Sequence, residues 1–136
     1  MENKIKHLEM IQGIINRMAS NSFLLKGWSV VLVSALFVLS AKETNIFFIC
    51  LAFLPALAFW ELDGYFLWQE RLYRKLYDKV RKMNETEIDF SMNTSTVSKE
   101  VKPWICVTFS KTLRIFHGTI VGAIIVVLLI GLLQRG

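Results

Sequence analysis

Residues 115–134, IFHGTIVGAIIVVLLIGLLQ, contain no Asp, Glu, Lys or Arg. The same is true of residues 27–41 (GWSVVLVSALFVLSA) and residues 46–60 (IFFICLAFLPALAFW). Apolar runs of about 15 to 20 residues approach the length at which a helix crosses hydrocarbon, where backbone groups must be hydrogen-bonded within the protein. The three runs predict an all-α membrane protein with three transmembrane helices.

The amino-acid composition is typical of a membrane protein. Of 136 residues, 54% are hydrophobic and the mean hydropathy is +0.44, whereas soluble domains hold roughly 45 to 50% apolar residues. The net charge of +5 would suit nucleic acid, but Lys and Arg stand mainly beside the apolar runs, where lipid head groups attract them. We therefore expect the lipid bilayer as a partner and no nucleic acid.

The N-terminal part of the chain predicts two segments. Residues 1–22 form a cytoplasmic amphipathic helix, because apolar side chains recur there every three or four positions. Ser20, Asn21 and Ser22 are typical capping residues and predict a break or bend before the first span. Residues 23–62 form a hairpin of two transmembrane helices joined by a tight polar turn.

The remainder predicts three segments. The second span continues out of the bilayer as a long cytoplasmic helix, the stalk, over residues 63–83, with a kink at Gly64. Residues 84–102 are polar and predict a linker or a short docking loop. Residues 103–136 predict an interfacial helix that runs into the third, C-terminal transmembrane helix. Apolar residues of the stalk near a heptad spacing predict helix association: Phe66, Tyr73, Leu76, Val80 and Met83.

The distribution of basic residues predicts the orientation. Of 16 Lys and Arg, 4 lie in residues 1–26 and 10 in residues 63–114, which leaves Lys42 and Arg135. Because basic residues concentrate in cytoplasmic segments, we expect both basic segments in the cytoplasm. Three spans then place the N-terminus in the cytoplasm and the C-terminus outside.

A charged group is predicted at the inner ends of the first two spans. A turn near residue 43 brings Lys26 level with Glu61, and Asp63 follows directly. Either charge alone in hydrocarbon costs about 3 kcal/mol, so opposite charges should pair. Lys26, Glu61 and Asp63 could gate a polar vestibule or clamp the two spans together, and we favour the clamp.

The third span holds features of helix packing. Gly118 and Gly122 form a small-xxx-small pair on one helix face, which allows another helix to approach closely, within the chain or in a second copy. His117 beside them is expected to be an interfacial packing residue in preference to a pH-sensitive group.

The sequence contains no arrangement typical of an enzyme site. It has no HExxH motif, no glycine-rich phosphate loop, and no Ser or Cys nucleophile beside a base. Cys50 and Cys106 are too few and too differently placed for a disulfide framework or a metal site. We expect no catalytic residue, no cofactor, no metal and no enzymatic activity.

Two phrases suggest a relationship to known proteins. Leu25-Lys26-Gly27-Trp28 and residues 70–80, ERLYRKLYDKV, look like phrases of small bacterial membrane proteins. With its order of amphipathic helix, hairpin and helical extension, the segment 1–83 resembles the SLATT group of small bacterial two-span proteins. The resemblance implies a bacterial inner-membrane protein with a membrane-disrupting, pore-forming role in nucleotide-signalled antiphage defence. The third span is an addition to that two-span plan.

Two functions are therefore expected as alternatives. The first is an oligomeric pore-forming or membrane-perturbing effector, built from several copies of the chain and controlled through its cytoplasmic helices. The second is a membrane anchor or adaptor for a cytosolic protein partner that binds residues 63–114. The small size, the heptad-like stalk and the glycine pair favour the first.

Overall fold

The computed structural model describes residues 2–43 and 45–135, and every regular element in these ranges is helical. The all-α fold is thereby confirmed. Three helical segments are long and apolar enough to cross a membrane: Glu2–Glu43, Phe47–Lys82 and Lys111–Gln134. The α-helices are α1 (Glu2–Glu43), α2 (Phe47–Leu51), α3 (Phe53–Lys82), α4 (Trp104–Thr108) and α5 (Lys111–Arg135), with 3-10 turns at Glu85–Glu87 and Ser98–Glu100.

Helix α1 is one uninterrupted helix, so the break predicted at Ser20 to Ser22 is wrong. A serine favours a helix end when its hydroxyl binds a free backbone amide. The Ser22 hydroxyl instead donates to the Asp63 carboxylate and accepts a hydrogen bond from Lys26 Nζ. With its side chain engaged in this way, Ser22 continues the helix. The predicted amphipathic helix and first span form a single rod of 42 residues.

The second helical segment is interrupted near Ala52, where α2 ends and α3 begins, and not at Gly64. Pro55 explains the position. It lacks the amide that would bond to the Leu51 carbonyl, and its ring crowds that carbonyl. The Ala56 amide still donates to the Ala52 carbonyl at 3.2 Å, so the chain keeps its helical course.

Helices α1 and α3 pack antiparallel and enclose two separate apolar cores. We call residues 2–20 and 66–102 the head. Its core joins the N-terminal half of α1 to the end of α3. We call residues 23–43, 45–62 and 111–135 the apolar bundle. Its core joins the C-terminal half of α1, α2 and the start of α3 to α5. The head core contains Ile11, Ile15, Leu76, Val80, Ile88 and Val97, and the bundle core contains Val33, Ile49, Ala52, Ala56 and Ile124.

The apolar stripe of the stalk lies against α1 of the same chain. Leu76 and Val80 are buried on Ile11 and Ile15, and Tyr73 and Met83 pack at the margin of this core. Phe66 lies outside the core, half-buried with its ring against Tyr65. Four of the five predicted association residues thus form an intramolecular helix pair and present no free stripe to a second copy.

The predicted linker, residues 84–102, docks on the head. Ile88 and Val97 enter the head core, and Phe90, at φ 56°, turns its ring edge-on to His7 at 5.4 Å. Lys4 Nζ donates to the carbonyls of Arg81 and Met83 at 2.9 and 2.7 Å, which satisfies the end of α3. The segment is therefore part of the folded head.

The predicted interfacial helix and the predicted third span are separate helices. Helix α4 ends at Thr108, and α5 begins at Lys111 after two residues. The close approach of Thr108 to Gly64 fixes α4 on α3, because a Cβ at Gly64 would lie 2.9 Å from Thr108 Cα and closer still to its side chain. Gly64 serves this contact, and α3 continues through it unbroken.

We expect Gly64→Ala to displace α4 and to lower the free energy of unfolding by about 1 to 3 kcal/mol through overpacking. The matched control is Gly13→Ala, because Gly13 is also helical and has nothing within 4 Å of an added Cβ. It should gain up to about 1 kcal/mol in helix propensity. Unfolding of the purified chain in detergent, followed by circular dichroism, compares the two. Equal stabilities would contradict the close contact.

Candidate functional site

The carboxylate of Asp63 is completely buried and has three side-chain partners. Its Oδ2 atom lies 2.6 Å from Lys26 Nζ and 2.7 Å from His117 Nε2. Its Oδ1 atom accepts the hydroxyl of Ser22, which in turn accepts Lys26 Nζ at 2.8 Å. We call these four residues the polar node. Since an ionised carboxylate can only accept hydrogen bonds, the proton between His117 and Asp63 lies on Nε2.

Each of the three long helices contributes to the polar node. Helix α1 supplies Ser22 and Lys26, which stand one turn apart on the same face, whereas α3 supplies Asp63 and α5 supplies His117. The node lies where the head ends and the apolar bundle begins. One carboxylate therefore fixes the mutual position of three helices at that level.

Aromatic rings enclose the polar node. The Trp60 ring stacks on His117 with centroids 5.8 Å apart and an interplanar angle of 11°. Phe116 meets the same imidazole edge-on at 5.1 Å, and Lys26 Nζ lies 5.9 Å from the Phe116 centroid. The Lys26 side chain keeps 22% of its surface exposed, whereas those of Asp63 and His117 keep none. Lys26 and Ser22 are thus the partly exposed members of the node, and Asp63 and His117 are its buried ones.

His117 is bonded on one side of its ring only. Nε2 is committed to Asp63, while Nδ1 is buried and makes no hydrogen bond with the residues described. A buried polar atom without a partner costs about 1 to 3 kcal/mol. The node therefore holds His117 in place mainly through its Asp63 bond and its aromatic contacts.

The structure separates the three residues predicted as a gate or clamp. Lys26 and Asp63 are paired, but Glu61 is exposed, and only its backbone carbonyl is engaged, by Trp104 Nε1 at 3.3 Å. Positions two apart on a helix point in nearly opposite directions. Since Asp63 faces α1 and α5, Glu61 faces away from both. Counting residues outward from the turn near residue 43 placed the partner of Lys26 correctly to within about half a helical turn. Such a count does not tell which face of α3 a residue occupies.

The sequence interpretation missed Ser22 and His117 as members of the node. Ser22 was assigned to a helix end, and His117 to interfacial packing. A usable signal existed for His117, because a buried carboxylate needs donors for both of its oxygens. His117 lies near the start of the predicted third span, at a predicted depth comparable to that of Lys26. Nothing in the sequence distinguished Ser22 from its polar neighbours.

The predicted packing pair on α5 makes no close helix contact among the residues that the structure describes. A Cβ at Gly118 or Gly122 would have nothing within 4 Å. Helix α5 instead packs through Leu113, His117 and Ile124, which are buried. Close approach at the glycine pair by a second copy stays a prediction.

Metal-ligand chemistry finds no support in the part of the chain that the structure describes, which contains no group of three His, Cys, Asp or Glu able to hold an ion. Cys50 and Cys106 are exposed and not bonded to each other. No family model matches the sequence, and searches of curated proteins and of solved structures also find no match. The SLATT resemblance therefore stays a prediction.

Asp63→Asn should destabilise the chain by about 3 kcal/mol, because it leaves Lys26 without its counter-ion in partly buried surroundings. Glu61→Gln removes the same charge two residues away, at an exposed position, and should change stability by less than about 0.5 kcal/mol. Unfolding in detergent measures both variants.

The double variant Lys26→Met/Asp63→Asn tests the same pair from the other side. It removes both charges together, so it should be more stable than Asp63→Asn alone. A double variant that is less stable than Asp63→Asn would show that the ion pair does not dominate the node.

Proposed function

We propose that the chain is a three-span protein of the bacterial inner membrane that acts as a membrane-perturbing effector. Several copies together form a pore, and the cytoplasmic head controls its opening. The observation that carries the proposal is the polar node at the junction of head and bundle. Movement of α1 or α3 in the head reaches the node before it reaches the bundle.

The helices support such mechanical coupling. Helices α1 and α3 both belong to the head core and to the bundle core, and no helix break separates the two cores on either of them. A change in the packing of Ile11 against Leu76 therefore shifts rods that also carry Lys26 and Asp63. Packed helices respond to such changes by switching between discrete arrangements.

The node favours a closed arrangement at rest. Separating Lys26 from Asp63 would leave a charge in apolar surroundings, at a cost of several kcal/mol. An open arrangement must supply other partners, such as water in a pore. The ion pair thus sets the free-energy difference that a trigger at the head has to overcome.

A pore would have to form between copies. The bundle core of one chain consists of apolar side chains, and Lys26 and Asp63 near its inner end are paired with each other in the node. The uncovered faces of Gly118 and Gly122 allow a second copy to approach α5 closely. Defence against phage is the setting that the SLATT resemblance implies.

Orientation follows the basic residues. The head carries most of them, which favours a cytoplasmic head with the N-terminus inside and the C-terminus outside. This orientation makes the head accessible to cytosolic signals.

An adaptor is the second proposal, and the docked linker favours it. Because Ile88 and Val97 anchor residues 84–102 on the head, the segment 63–114 offers a fixed surface to a cytosolic protein. Exposed Lys75, Lys79 and Lys82 give that surface a basic character. Co-purification of one stoichiometric soluble protein, without self-assembly of the chain, would support the adaptor over the pore.

Loosening the head should open the pore. Val97 is completely buried in the head core, so Val97→Asp introduces an unpaired charge that unpacks it. Induced in bacteria, this variant should depolarise the membrane several-fold more strongly than the unchanged chain at equal membrane yield, as read with a potential-sensitive dye.

Thr96→Asp provides the matched control, since it adds the same charge at the neighbouring, exposed position. It should behave like the unchanged chain. If neither the unchanged chain nor Val97→Asp alters membrane potential or growth, the pore proposal is wrong.

A further inference from the structure

A groove of about 440 Å³ lies between α3 and α4, beside the polar node but separate from it. Its wall is mainly apolar. Two indole rings form part of it, and both N–H groups are turned to backbone carbonyls: Trp60 Nε1 to Thr108 at 2.7 Å and Trp104 Nε1 to Glu61 at 3.3 Å. The groove is lined mainly by Leu57, Trp60, Glu61, Trp104, Ile105 and Phe109.

The outer wall of this groove is strongly exposed. Ile105 keeps 73% of its surface uncovered and Phe109 keeps 57%. Thr108, which stands between them in the sequence, lies against Gly64 and fixes α4 on α3. Exposed apolar surface costs about 25 cal/mol per Å² in water, so hydrocarbon is the medium that suits this wall.

Three cations flank α4, the helix that carries the outer wall of the groove, along the sequence. Lys102 precedes α4, and Lys111 and Arg114 lie in the first turn of α5 on one face. All three are exposed, and none has a carboxylate within 4.0 Å among the residues described. Glu61 is the single carboxylate in the lining. The segments on either side of the outer wall therefore carry three cations, against one carboxylate in the lining.

Helix stability does not account for these cations. The N-terminus of a helix carries partial positive charge, so Lys111 and Arg114 each destabilise the start of α5. The first turn of α5 contains no acidic residue that would offset them. An external anion at this place would satisfy both cations and the helix end together.

We propose that the groove binds one anionic glycerophospholipid. An acyl chain lies against Ile105 and Phe109, and the phosphate meets Lys102, Lys111 and Arg114. Tryptophans at this level agree with a position among lipid head groups. The inference rests on the membrane placement proposed above and adds a ligand class to it.

The test uses the full chain, purified in mild detergent, with bound lipid counted by native mass spectrometry. Dioleoyl phosphatidylglycerol and dioleoyl phosphatidylcholine are offered in equal amounts. The unchanged chain should retain about tenfold more phosphatidylglycerol than phosphatidylcholine, since each basic residue near the head group adds to the electrostatic attraction for an anionic lipid.

The variant Lys102→Gln/Lys111→Gln/Arg114→Gln should lose this preference. The matched control Lys75→Gln/Lys79→Gln/Lys82→Gln removes three charges from exposed positions of the head and should keep it. Phe109→Ser tests the apolar wall without changing charge, and should lower retention of phosphatidylglycerol several-fold. All these positions are exposed, and circular dichroism checks that the variants are folded.

Several outcomes would overturn the inference. Equal retention of both lipids, or equal loss in the two triple variants, would refute a specific site. Displacement by inorganic phosphate, but not by chloride at the same ionic strength, would identify a phosphate site instead of a lipid site. A soluble protein covering this face in place of lipid would favour the adaptor.

Membrane flotation separates this inference from the proposed function. A chain that fails to float with bacterial membranes refutes the membrane placement itself. A chain that floats but shows no preference for phosphatidylglycerol refutes only the lipid site.

Discussion

Asp63 has no exposed surface, and a buried carboxylate needs a counter-charge and hydrogen-bond donors. The donors come from two other helices, which places α1 and α5 against α3 at one level. Neighbouring features follow from this arrangement. Ser22 continues α1 because its hydroxyl is used by Asp63, and Trp60 covers the His117 ring that the carboxylate orients. The head core and the bundle core on either side of the polar node are apolar, and apolar contacts are less directional. The register of the helices in both cores therefore depends on the node.

The helical fold was largely predictable from the sequence, because each signal that determines it is summed over many residues. Three uncharged runs mark helices that are long and apolar enough to cross a membrane, and the spacing of Ile11, Ile15, Leu76 and Val80 marks a face that is buried over several turns. Helix ends were less predictable. At Ser22 a capping residue found a tertiary partner, whereas at Pro55 the missing amide interrupted the helix as its chemistry requires.

The site was half predictable. A depth count along a hairpin locates opposite charges to within a turn, which identified Lys26 and its acidic neighbourhood. It contains no information on rotation about the helix axis, and Glu61 and Asp63 differ mainly in rotation. The choice is made by α5, which is distant in sequence and brings His117 to the Asp63 face. Likewise, the contact between Gly64 and Thr108 depends on a helix whose position no local pattern encodes.

The length of α1 sets a distance between two environments. Its 42 residues extend about 63 Å at 1.5 Å per residue, and its first 21 residues, from Glu2 to Ser22, account for about half of this. With the placement proposed above, the tip of the head stands about 30 Å from the level of the polar node, whereas the field of charged lipids decays within about 8 Å at physiological ionic strength. Binding at the tip is therefore electrostatically independent of the lipid surface. With that placement, a change at the tip reaches the membrane mechanically, through α1 and α3 and through residues 84–110, which lead from the head to α5.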